Sequence, residues 1–373
     1  MLLPGMAKAR ILINALSWSL GGGQTYALNL MRELTRDSRG FDFTVLAAGS
    51  RGVAEAGDGL EVVRARLPTG LPGAAFLRVA YEEAMLPLRA RCFDLLYCVA
   101  DLAPRFGRTP TVVALRNLNI YDRTYYDNPR LRLLERLVRL GLPRARRILF
   151  PSRAAAELIA RRIPIPADKV AIVPHGVSLD LLATGGGPVA AGVPYLFLPA
   201  PLERHKNLGV LIRSLCQVSD PDLELWIAGH DTTDPSHAAE LRGLVAELGL
   251  GERVRFLGSV PYREILPYYR GAVALVFPSR LETFGQPLLE AMVAETPIVA
   301  SDIPAFREIA ADVALYFDPR DPAALAKAVD RVRSQPGETR ARVHRGRERA
   351  RDFSWKRSVD ALCGVFQDVL GER

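Results

Sequence analysis

The chain has 373 residues, 49% hydrophobic and 24% charged, with a formal net charge of +8. That length allows two globular domains of ordinary size, and no apolar run approaches the roughly 18 residues of a membrane span. Cys92, Cys98, Cys216 and Cys363 show neither CxxC spacing nor a histidine cluster. They read as buried thiols in a reducing, cytoplasmic compartment, with no structural metal site and no disulfide framework.

The charge is uneven. Residues 1–175 hold 26 Lys and Arg against 15 Asp and Glu, and the remainder holds 23 against 26. A basic first half points to an anionic partner such as a membrane surface, a phosphorylated lipid or nucleic acid. No RNA-binding motif or aromatic stacking pattern accompanies the charge, so nucleic acid is not the expected partner.

In chain order, Lys8 and Arg10 ahead of the apolar run Ile11–Leu20 mimic a signal peptide, but Gly21-Gly22-Gly23-Gln24 follows in place of a cleavage site. A first strand, Ile11–Leu16, entering a glycine turn explains it better. A helix follows with Tyr26, Leu30 and Leu34 on its apolar face. Strands are expected at Phe43–Ala47, Leu60–Val63, Phe93–Val99 and Thr111–Leu115, and a helix over Leu71–Arg91. Pro129–Arg147 holds seven arginines interleaved with leucines and predicts a basic amphipathic helix, packed on the sheet or lying on an anionic membrane. Ile148–Pro151 is a strand, Ser152 is placed to cap the helix Arg153–Arg162, and Lys169–Pro174 closes the first domain.

Thr184–Gly192, rich in Gly, Pro and Ala, reads as a linker. The expected division is therefore 1–184, 185–353, and a C-terminal amphipathic helix in 354–373. Strands are expected at Tyr195–Leu198, Leu223–Ala228 and Arg253–Leu257. A helix at Tyr262–Arg270 and a late strand at Leu315–Phe317 complete the series. Between them stands FPSRLETFGQPLLEAMVAETPIVASDIP, residues 277–304. It reads as the strand Ala272–Phe277, a loop flexible at Gly285, a helix opening at Pro287, and the strand Pro297–Ala300. The helix start suits a phosphate. Glu282 ahead of it and Glu290 within it suit sugar hydroxyls, so a ligand with both parts, such as a nucleotide sugar, fits the stretch. Two glutamates at this spacing are cheap by chance; their setting between two strands carries the specificity.

Glu282-Thr-Phe-Gly-Gln-Pro-Leu-Leu-Glu290-Ala, followed by Pro297-Ile-Val-Ala-Ser301-Asp302, resembles the signature of the family-4 retaining glycosyltransferases. Val173-Pro-His-Gly-Val177 is similar to that family's inter-domain turn, and the resemblance covers nearly the whole chain. It implies an α/β fold of GT-B type: two Rossmann-like, doubly wound parallel-sheet domains facing a central cleft, with the C-terminal helix crossing back to the first. The activity implied is a metal-independent, retaining hexosyl transfer from a nucleotide-sugar donor to a hydroxyl acceptor. A glycan or lipid-linked acceptor of cell-envelope polysaccharide synthesis suits the basic first domain, which would place the protein at the inner face of the membrane. No cofactor is implied.

The resemblance carries roles over residue by residue. Lys206, with Arg204 beside it, would hold the donor diphosphate, together with the backbone at Thr283, Phe284 and Gly285. Gly22 and Gly23 would approach the donor or acceptor, Glu282 would hold the donor sugar, and Glu290 the ribose. Three departures stand out: Pro201 where the usual diphosphate arginine lies, Thr283 in place of a glycine, and Asn117 or Asn119 near a strand end where a histidine is frequent. Those departures motivate an alternative, a non-catalytic partner that binds a nucleotide sugar or a membrane. Asp231 and Asp234 read as loop residues, not metal ligands, and Glu295, replacing a frequent turn glycine, is expected to matter little.

Overall fold

The computed structural model describes residues 8–17, 22–48, 60–67, 73–177, 186–231 and 234–372. The start of the expected linker, 184–185, lies outside them. The chain forms two compact units, Met1–Gly176 with Trp355–Arg373, and Val177–Ser354.

The first unit holds a seven-stranded parallel sheet: β1 (Ala9–Asn14), β2 (Phe41–Ala48), β3 (Glu61–Ala65), β4 (Leu95–Cys98), β5 (Thr111–Ala114), β6 (Arg147–Phe150) and β7 (Val170–Ile172), in the order β3-β2-β1-β4-β5-β6-β7. The second holds six strands: β8 (Tyr195–Pro199), β9 (Glu224–Ala228), β10 (Val254–Gly258), β11 (Ala274–Phe277), β12 (Ile298–Ser301) and β13 (Leu315–Phe317), in the order β10-β9-β8-β11-β12-β13. Every strand pair is parallel. The central strands are short apolar runs because helices cover both faces of such sheets. In each unit the strand order reverses beside the first strand, between β1 and β4 and between β8 and β11. Ligands of doubly wound sheets bind beyond the carboxyl ends of the strands at that reversal.

Local chemistry sets the helix starts. Asn128 accepts from the Leu131 amide at 2.9 Å ahead of Pro129, and Ser152 from Ala155 at 3.0 Å. Asp321 accepts from the Ala323 and Ala324 amides. Each satisfies a donor that the first helical turn leaves open.

Three helix expectations need correction. The one over Tyr262–Arg270 is a 3-10 turn, Tyr262–Glu264, and a helix, Leu266–Gly271. Proline is the reason in the other two. The helix expected over 71–91 is two, Ala74–Ala84 and Leu86–Ala90, because Pro87 cannot donate back into the preceding turn. The arginine-rich helix expected to reach Arg147 ends at Gly141; Pro143 lies in a 3-10 turn, and Arg147 already opens β6. Within that helix Glu135 is buried and accepts from Arg123 and Arg139, with Arg162 at 3.2 Å. Part of the basic face is thus neutralised from within, while Leu133 and Leu140 point outward, 47% and 57% exposed.

The C-terminal helix Trp355–Gly371 packs in the first unit. Phe366 sits edge-on to Phe41 and Tyr97, and Trp355 edge-on to Tyr26. Among the described residues no helix is long and apolar enough to cross a membrane.

Candidate functional site

The second unit gathers chemistry where β8 and β11 end. After Pro199 the chain makes a 3-10 turn, Arg204–Lys206, and Asn207 then takes the left-handed conformation, φ 58°. Asparagine tolerates that conformation better than most side chains. Its amide nitrogen donates to the carbonyls of Pro278 (3.0 Å) and Pro319 (2.7 Å), pinning three strand-end loops together. The Arg280 amide donates to the His205 carbonyl at 2.9 Å. Held this way, Lys206 Nζ donates to Glu282 Oε1 at 2.6 Å and lies 5.5 Å from the centre of the Phe277 ring. Both partners are largely shielded, their side chains 14% and 13% exposed. At such a site the pair interacts far more strongly than it would in water.

Arg204 does not join this pair. A 3-10 turn advances about a third of a circle per residue, so side chains two apart diverge. The Arg204 guanidinium turns instead to Asp234 (3.0 Å) and Glu240 (3.0 Å). Asp234 in turn caps the helix Pro235–Glu247 by accepting from the His237 amide. His205 is buried beside Glu203 (3.4 Å), and burial with the nearby Lys206 charge brings its pKa down to about 4, so the ring is neutral at pH 7.

The loop from Pro278 delivers the helix Gln286–Ala294. Its start is fixed by Gly285, φ 101°, where an added Cβ would stand 2.9 Å from the Phe306 ring and 3.1 Å from Leu288. Only glycine fits both the backbone and the space. No side chain caps the start, and the Leu288 amide donates to the Gly285 carbonyl at 3.0 Å. Thr283 is half-buried on the loop. Phe284 is buried edge-on to Phe353, so it offers a ligand its backbone and not its ring. Glu290 is 7% exposed and accepts from the Tyr269 hydroxyl at 2.6 Å. Burial pushes its carboxyl up, and the Tyr269 hydroxyl pulls it back.

In the first unit Gly22 and Gly23 are the opening residues of the helix Gly22–Arg36. Asn117 is exposed, and its side chain accepts from the Asn119 amide at 3.1 Å, so both candidate amides belong to one small turn beyond β5. That turn hangs on Asp101, which lies beyond β4. One Asp101 oxygen accepts from the Arg116 amide (3.2 Å), the Asn117 amide (3.4 Å) and the Tyr121 hydroxyl (2.9 Å). Burial raises the Asp101 pKa to about 6 against these hydrogen bonds. The Arg116 guanidinium stacks 3.4 Å over the Tyr26 ring and donates to the Tyr97 hydroxyl at 3.0 Å. Burial and the Arg116 charge hold His175 well below its usual pKa. Sequence reasoning missed Asn207, Asp101, Arg116 and the tyrosine on Glu290. Asn207 alone left a local signal, an asparagine directly after the site lysine. Among the described residues no three of His, Cys, Asp and Glu form a metal-ligand set.

Two family models match the chain: Glycosyltransferase Family 4 over residues 20–181 and Glycosyl transferases group 1 over residues 189–350. A D-inositol 3-phosphate glycosyltransferase of Catenulispora acidiphila is 28% identical over 59% of this chain and 56% of that protein. An O-antigen chain mannosyltransferase of Salmonella typhimurium is 29% identical over 54% of each chain. The chain thus matches about half the length of these curated relatives. Among solved structures, a sucrose-phosphate synthase from Thermosynechococcus elongatus superposes with TM-score 0.79 at 21% identity, covering 98% of this chain and all of that one. HepE of Anabaena, in complex with UDP and glucose, superposes with TM-score 0.77 at 18% identity over 96% of this chain and all of that one. At those identities the likeness speaks for the fold.

Proposed function

Because the chain belongs to the family-4 glycosyltransferases of GT-B fold, we propose that it moves a hexosyl group from a nucleotide-sugar donor to a hydroxyl acceptor with retention at the anomeric carbon. The observation that carries this reading is the Lys206–Glu282 pair at 2.6 Å, at the strand ends that feed the uncapped helix Gln286–Ala294. It brings together a fixed cation, a helix N-terminus and a carboxylate acceptor, the parts that a diphosphate joined to a sugar requires.

In this reading the bond from the anomeric carbon to the phosphate oxygen breaks while the acceptor oxygen attacks from the same face. The acceptor proton passes to the departing diphosphate. The protein supplies no covalent nucleophile; it supplies position and charge. Lys206 and the amides at Thr283, Phe284 and Gly285 would stabilise the leaving diphosphate. An entering diphosphate competes with Glu282 for Lys206, which frees the Glu282 carboxylate for the sugar hydroxyls. Glu290, fixed by Tyr269, would take the ribose, and Gly22 and Gly23 would let the donor or acceptor approach the backbone of the first unit. Asn117 would hydrogen-bond the sugar or acceptor; an amide serves there as a polar contact and not as a base. Lysine and helix amides do the work of charge neutralisation, so the reaction proceeds without a metal.

HepE binds UDP-glucose, which supports a nucleotide-sugar donor. The O-antigen mannosyltransferases among the relatives support a glycan or lipid-linked acceptor of the cell envelope. Leu133 and Leu140 exposed among arginines suit an anionic membrane surface on the helix Pro129–Gly141. Flotation with anionic vesicles at low salt tests that contact, and unbound protein would remove it. The main test is donor binding by calorimetry across a nucleotide-sugar panel, followed by NMR of the product anomer with and without chelator. One bound donor, a retained anomer and indifference to chelator are expected. An inverted anomer or loss of turnover with chelator would overturn the mechanism, and no bound donor would overturn the assignment.

A further inference from the structure

We propose that the amino-terminal edge of the first sheet carries a separate binding site for a multiply phosphorylated anion. This edge is opposite the strand ends that hold Asp101 and Arg116. A cavity of about 690 Å³ opens there, lined by the residues that lead into β5, β6 and β7. That volume lies within the roughly 300–1,000 Å³ usual for small-molecule sites.

Three of its cations build the wall. Arg144 donates to the Gly107 carbonyl at 2.8 Å, Lys169 to the Pro143 carbonyl at 2.7 Å, and Arg147 pairs with Glu372 just beyond the C-terminal helix. These bonds tie three loops into a fixed concave frame. Two further arginines, Arg108 and Arg146, line the same space and are exposed. Among the described residues neither guanidinium has a hydrogen bond or an ion pair.

Five cations thus face one hollow against two acids, Asp168 and Glu372. Converging like charges in a concavity focus a positive potential that a convex surface would disperse. Planar guanidinium forks match phosphate oxygens in pairs. The excess of positive charge favours a ligand with more than one phosphate. The exposed Phe106, already beside Arg105 at 5.5 Å, is the one aromatic ring in the lining. The hollow therefore lacks a sandwich for a nucleobase and selects for phosphate. Glu372 is an internal competitor: an anion that takes Arg147 must displace it.

The test uses the full chain carrying Lys206→Ala, so that the proposed donor site is silent. It is titrated with inorganic tripolyphosphate at low salt and followed by calorimetry. One site is expected. Adding Arg108→Ala and Arg146→Ala should weaken binding by about tenfold per arginine lost. Both residues are exposed, so these variants fold. Arg263→Ala with Arg320→Ala makes the same charge change at exposed positions of the other unit and should leave affinity within about twofold. Glu372→Gln should tighten binding. Absence of binding, an Arg108/Arg146 variant that binds like its parent, or equal weakening by the control pair each overturns the site. A second arm uses phosphatidylcholine vesicles doped with phosphatidylinositol 4-phosphate. Flotation that needs Arg108 and Arg146 and is competed by tripolyphosphate assigns the phosphates to a lipid headgroup. Tripolyphosphate binding without such flotation assigns them to a soluble ligand.

Discussion

The two units solve the same problem, fixing polar groups at the ends of parallel strands, in different ways. In the second unit the site comes from two contiguous strings, 199–207 and 277–290, and is held by backbone geometry. Asn207 and Gly285 both take positive φ, and Asn207 ties three loops through carbonyl oxygens. In the first unit the strand-end cluster draws Tyr26, Tyr97, Asp101, Arg116, His175 and Trp355 from remote segments. A half-buried cation on an aromatic ring and a buried carboxyl hold it. A site fixed by backbone should be brittle to changes of shape. One built around a buried carboxyl should be sensitive to pH.

The sharpest way to break the comparison is Gly285→Ala. The new Cβ meets Phe306 at 2.9 Å in a backbone conformation that alanine resists. Left-handed strain and overpacking together should cost about 2–4 kcal/mol. Urea denaturation measures it; a loss below about 0.5 kcal/mol would mean the loop is not held by backbone geometry at all.

On the other side stands Asp101→Asn, an isosteric change that keeps an acceptor for the two amides. The folded pKa, about 6, lies above the ordinary value of 3.8. The native state therefore holds the proton more tightly than the unfolded one. Its contribution is fully present below pH 3.8 and is lost as pH rises through 6. Wild-type stability should fall relative to the variant by up to roughly 3 kcal/mol between pH 4 and pH 7. Parallel pH profiles of unfolding for the two proteins would show that ionising the buried Asp101 costs the fold nothing.

The smallest effect is expected at Glu295. The sequence reading gave this residue little weight, yet it ends the helix Gln286–Ala294 at φ 60°, ψ 33°, where glycine is favoured. Its exposed ion pair with Arg347 at 3.2 Å contributes little. Glu295→Gly should raise stability by about 0.5–1 kcal/mol. A thermal midpoint at or below that of the wild type would argue that the ion pair outweighs the backbone strain.

The same contrast explains what was legible in the sequence. All thirteen strands in the two sheets were foreseen within a few residues; the central ones, buried on both faces, are apolar runs that punctuation sets apart. Helix ends went wrong at Pro87 and Pro143, where a periodic pattern ran through a residue that stops it. The stretch around Glu282 and Glu290 was readable because strand, loop and helix there are consecutive. Asp101 and Arg116 were not, since no spacing announces that a carboxylate beyond β4 will hold the turn beyond β5. The partners of Arg204, Asp234 and Glu240, were not legible for a geometric reason: nearness along a 3-10 turn is not nearness in space.

The central claim is that Lys206 and Glu282 act together on a nucleotide-sugar donor. The most direct measurement is nucleoside diphosphate release from a donor panel, with envelope lipid extract as acceptor, by the wild type, Lys206→Ala and Glu282→Gln. The account predicts turnover of one donor by the wild type and a loss of about 10²–10³ in each folded variant. Folded variants that release diphosphate at the wild-type rate would contradict it.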